Sequence, residues 1–162
     1  MNEQGRAFVE AFIAPARRER YLLHLASAKN RRKALNRLNH QFDIRAGVAS
    51  EMPASLTSAG LAAELRRRGA PATCHVIADE SEHDGQELPL EDGTDLVWFH
   101  TWGIVLCCVP SRLACYKAES PSPVYLLEKG PMQAETRLSP ERRTVWKKTP
   151  TKPDCVRDAK RQ

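Results

Sequence analysis

The sequence predicts an α+β fold: amino-terminal amphipathic helices packed on a small, mostly antiparallel sheet, followed by a flexible basic C-terminal tail. Three observations carry this expectation. The first forty residues repeat apolar side chains at helical spacing. Residues 72–127 hold short apolar runs rich in branched side chains and bounded by turn residues. Beyond Leu127 large apolar residues thin out, and six of the eleven prolines fall from Pro121 onward among many Lys and Arg.

Each element has its own signal. Phe8, Val9, Phe12 and Ile13 give a helix over 3–13 one apolar face. Pro15 either ends that helix or sits in the first turn of the next, since it lacks an amide hydrogen. From Ala16 to Ala26, Tyr21, Leu22 and Leu25 share a face. Arg17, Arg18 and Arg20 crowd its start, where the helix dipole disfavours cations. Ser27 caps a third helix, whose stripe is Ala34, Leu35, Leu38 and Phe42. Gly47–Ser55 reads as a connection. A helix over Ser58–Arg68 follows, with Leu61, Ala62 and Leu65 inward, three arginines in its last turn, and Gly69 and Pro71 as stop signals.

Ala72–Ala78 reads as a strand, and Asp79–Glu87 as a polar turn containing Asp84-Gly85. Leu88-Pro89-Leu90 can open a short helix, but Gly93 leaves 90–100 open between helix and irregular structure. Gly103–Val109 is a strand covered on both faces, because its apolar run is continuous. A two-residue Pro110-Ser111 connection sets Val109 against Arg112 and Cys108 against Leu113. Ile104, Leu106, Cys108, Leu113 and Cys115 then share one face, and Val105, Cys107, Val109, Ala114 and Tyr116 the other. Because proline is unusual in such a turn, a longer loop is the alternative. Val124–Leu127 makes a third sheet strand.

The length of 162 residues and 41 % hydrophobic content suit a single domain over 1–129, with the tail at 130–162. Neither a membrane span nor a secretory signal is legible. Five cysteines, an odd number with one adjacent pair, do not form a secreted disulfide pattern, so a reducing, cytoplasmic setting is expected. The net charge of +5 conceals three blocks: +6 over 1–50, −5 over 51–118 and +4 over 119–162.

No glycine-rich phosphate loop, C-x-x-C pair or established metal spacing is present, so neither a cofactor nor a metal is expected. The leading expectation is therefore a non-catalytic interaction or regulatory protein with an unidentified protein partner. Trp98 and Trp102, flanking Phe99, are its candidate anchors, because large rings dominate many interfaces. Arg31, Arg32 and Lys33 are candidate charged contacts. Two alternatives stand beside it. An enzyme, in one form a metal-assisted hydrolase, would draw on His75, Asp79, Glu80, Glu82, His83 and Asp84, where carboxylates can orient imidazoles. A sequence-non-specific nucleic-acid binder would use Lys29, Arg31, Arg32, Lys33, Arg37 and the tail to neutralise phosphates. No stacking aromatic interleaves those charges.

Overall fold

The computed structural model describes residues 1–130 apart from Gln41, Glu80 and Ser81. Three helices come first, α1 (Glu3–Phe12), α2 (Pro15–Ala26) and α3 (Ala28–His40). Asn2 caps α1 by accepting from the Gly5 amide, and Pro15 lies in the first turn of α2. The remaining elements are β1 (Ala49–Glu51), α4 (Ser58–Arg67), β2 (Thr73–Ala78), β3 (Glu87–Pro89), α5 (Leu90–Phe99), β4 (Ile104–Val109), β5 (Leu113–Lys117) and β6 (Val124–Glu128). The strands form one antiparallel sheet in the order β1-β6-β5-β4-β2-β3. Its edges, β1 and β3, are three residues each, which limits the backbone open to unwanted pairing.

The architecture is α+β with both sheet faces covered. Helices α1, α2 and α3 pack Phe8, Phe12, Tyr21, Leu25, Leu35 and Leu38 against Ile77, Val105, Cys107, Ala114, Tyr116 and Leu127. On the opposite face Leu61 and Leu65 of α4 and Leu90 and Val97 of α5 meet Cys74, Val76, Leu106, Cys108, Cys115 and Leu126. The unbroken apolar run of β4 is explained by this arrangement, since alternate residues enter separate cores.

Several expectations are corrected, and the one left open over 90–100 is resolved. The segment 47–55 contains β1, too short and polar for an alternation signal. Glu87–Pro89 pairs with β2 rather than opening a helix, and Pro89 is the residue before α5. Residues 90–99 are helical despite Gly93, because that glycine lets α5 approach the sheet: a Cβ there would stand 2.5 Å from the Cys74 sulfur. Phe42 lies beyond α3 and is 54 % exposed, although its ring meets Tyr116 and Tyr125.

The β4–β5 connection has three residues, Pro110–Arg112, with Ser111 left-handed at φ 57°. Val109 pairs with Leu113 and Cys107 with Ala114, leaving Cys108 in a bulge. The extra residue turns Val109 onto the α4–α5 face, while the other nine side chains keep the faces expected of them.

Residues 1–130 belong to one compact unit. The expectations for the tail, including Cys155 and a helix leading to Trp146, lie outside the described residues.

Candidate functional site

The acidic turn after β2 is tied into the scaffold. His75 is 5 % exposed, and its Nε2 lies 2.8 Å from the Asn2 amide nitrogen. Because Asn2 Oδ1 already accepts from the Gly5 amide, its nitrogen donates to the ring, which makes Nε2 the acceptor and puts the proton on Nδ1. Burial holds the His75 pKa below its ordinary value; Glu87 and Asp84 oppose that shift and Arg31 reinforces it. Asp84 binds Arg31 through both carboxylate oxygens, one contact being 2.7 Å, and also accepts from the Ala78 amide. Arg31 thereby joins α3 to the β2–β3 turn.

Asp79 accepts from Asn39 at 3.2 Å, and its other oxygen is buried without a partner among the described residues. The rings of His83 and His100 meet edge-on with centroids 6.3 Å apart. Among the described residues no group of three or more His, Cys, Asp or Glu is gathered as metal ligands. Glu82 is exposed, and Glu80 lies outside the described residues.

The aromatic segment is arranged differently. Trp98 is half-buried against the α4–α5 core, whereas Phe99 is 77 % and Trp102 46 % exposed. A cavity of about 230 Å³ opens beside Trp98, with Met52, Pro53, Pro123 and Val124 supplying apolar walls. Lys117 also lines it. This lysine was not singled out from sequence; its only signal was a cation ending an apolar strand.

Lys117 Nζ donates to the carbonyls of Val97, Trp98 and His100 at 3.1, 3.2 and 2.9 Å. All three ammonium hydrogens thus meet the C-terminal end of α5, where the helix dipole favours a cation. Burial lowers the Lys117 pKa. The clamp holds the turn that presents Phe99 and Trp102, so the rings project from a supported corner.

The basic residues divide into two sets. Arg31 and Arg37 are engaged by Asp84 and Asp43, respectively. Lys29, Arg32 and Lys33 are exposed on the outer side of α3.

The described cysteines are scaffold. Cys74, Cys107, Cys108 and Cys115 are buried free thiols. Burial raises the pKa of Cys74 to about 11 and that of Cys108 to about 12, and pushes Cys107 and Cys115 higher still. No helix among the described residues is long and apolar enough to cross a membrane. No known protein family, curated protein or solved structure is measurably similar to the chain.

Proposed function

We propose that this protein is a non-catalytic interaction module whose protein partner docks on the aromatic corner at the end of α5. The carrying observation is the exposure of Phe99 and Trp102, next in the chain to Trp98, which lines a cavity with Met52, Pro53 and Pro123. Fully burying a large apolar side chain contributes about 1.5–3 kcal/mol, so two such rings are a substantial source of affinity. The Lys117 clamp reduces the ordering needed on binding. The buried, protonated thiols support a cytoplasmic location, where such thiols persist.

The test compares captured proteins between wild type and the Phe99→Ser/Trp102→Ser variant. Because both rings are exposed, the variant is expected to fold and to lose at least one partner that the wild type retains. That partner, once purified, should shift the tryptophan fluorescence of the wild type. An identical captured set from both proteins, with the variant folded, removes the reading.

A further inference from the structure

The hairpin of α2 and α3 carries a second surface with a different chemistry. Between Pro15 and His40 stand eight Lys or Arg and one acid, Glu19. Five of them lie where they oppose the helix dipoles, whereas Arg37 stands in the last turn of α3, where a cation is favoured. Arg17 and Arg18 lie near the start of α2, and Lys29, Arg31 and Arg32 near that of α3; neither first turn contains an acid. The other helices show the opposite order. Glu3 begins α1, Glu91 and Asp92 begin α5, and Arg66 and Arg67 finish α4. Helix stability therefore does not account for the charge on α2 and α3.

The fold neutralises only part of it. Asp84 holds Arg31, Asp43 holds Arg37 and approaches Arg17 at 3.8 Å, and Arg18 donates to the Ile13 carbonyl. Arg20, Lys29, Arg32 and Lys33 are exposed, and no carboxylate among the described residues forms an ion pair with them. Lys29, Lys33 and Asn36 follow one another at helical spacing on the outer row of α3. At 1.5 Å per residue the two lysines stand about 6 Å apart along the axis. This is close to twice the roughly 3.4 Å axial spacing of charges on one strand of a duplex.

We propose that the outer face of the α2–α3 hairpin binds double-stranded nucleic acid through its phosphates, with Arg20, Lys29, Arg32 and Lys33 as the contacts. The composition of the face selects this partner. Its exposed large apolar side chain is Leu23, while Tyr21, Leu25, Leu35 and Leu38 are buried in the core, so a bilayer finds no broad apolar face to receive. The hairpin has no Phe or Trp, and its one Tyr, Tyr21, is 1 % exposed and donates to Asp43, so it offers no large ring for stacking unpaired bases. Phosphate neutralisation by flexible cations carries no base readout, so binding is sequence-independent.

The experiment is fluorescence anisotropy of a labelled random-sequence DNA duplex against the full chain across a salt series. Four phosphate contacts from this face contribute about −3.6 to the slope of log affinity against log salt, a loss of about 150-fold between roughly 50 and 200 mM salt. Lys29→Gln/Lys33→Gln should make the slope less steep by about 1.8, and Arg20→Gln/Arg32→Gln should do the same independently. Circular dichroism verifies folding of each variant. Arg66→Gln/Arg67→Gln removes equal charge from α4 and should leave the slope unchanged. Failure to bind the duplex, a slope unchanged in both hairpin variants, or equal loss in the α4 variant overturns the proposal. Equally tight binding to phosphatidylserine vesicles or polyglutamate also overturns it. The aromatic corner is intact in these variants, so their behaviour is separable from protein docking.

Discussion

His75 illustrates how one neighbour changes what a side chain can do. In the sequence it belongs to a His-and-carboxylate constellation; in the fold its ring accepts from Asn2 and is held neutral by burial. The linkage has a defined sign. An unfolded imidazole titrates near 6.5, and the folded pKa is lower, so below about pH 6.5 the unfolded state binds more protons and stability decreases as the pH is lowered. The loss stops growing below the folded pKa. His75→Gln keeps a polar side chain next to Asn2 and abolishes this titration. The melting temperature of wild type should therefore drop further than that of the variant between about pH 7.5 and about pH 5.5. Equal drops would show that His75 does not titrate differently in the folded state. Glu64 acts in a separate window: hydrogen bonds from Arg67 and then Arg68 lower its pKa to about 2. Its contribution is present above the ordinary carboxylate range and fades as pH falls towards about 2.

Among the elements, the helix boundaries were the most legible. Pro15, Ser27 and the Arg66–Gly69 stop act within a few residues of chain, and α2, α3 and α4 begin or end there. Short edge strands were not legible, because Ala49–Glu51 owes its extended form to pairing with β6. The contact between α3 and the sheet was equally hidden. A Cβ at Gly103 would run into the Asn39 side chain and come within 3.2 Å of its Cα, so the end of α3 rests on the bare backbone before β4. Gly103→Ala should push this helix end from the sheet and destabilise the protein by about 1–3 kcal/mol, the usual range for overpacking. Urea denaturation measures this, and an unchanged midpoint would mean that Asn39 moves aside freely. Gly93 makes a comparable approach to Cys74, which is why a glycine that weakens helix propensity occurs within α5.

At the scale of the whole molecule, one sheet serves two cores. Cys107 points to the α1–α3 side, while Cys74, Cys108 and Cys115 point to the α4–α5 side. Because both sets sit on shared strands, the two cores are expected to unfold together. In a Cys155→Ser background all four thiols should resist a thiol reagent in the native protein. They should then become reactive in one guanidinium transition that coincides with loss of circular dichroism. Separate exposure of Cys107 would show that the helical layers unfold independently. The candidate surfaces have the same dependence on tertiary placement. Trp98, Phe99 and Trp102 were visible as a cluster, but their unequal exposure follows from the packing of α5 and the Lys117 clamp. Lys29, Arg31, Arg32 and Lys33 were visible as a charge run, but only their spatial neighbours separate Arg31 from the others. Chain-local chemistry determined α1 to α4, the central strands and, Val109 apart, the two faces of β4 and β5, since spacing and stop signals act over a few residues. Pairing between distant segments decided the second helical layer, the edge strands, the neutral His75 and the exposed cations, because burial and ion pairing depend on neighbours that proximity along the chain does not specify.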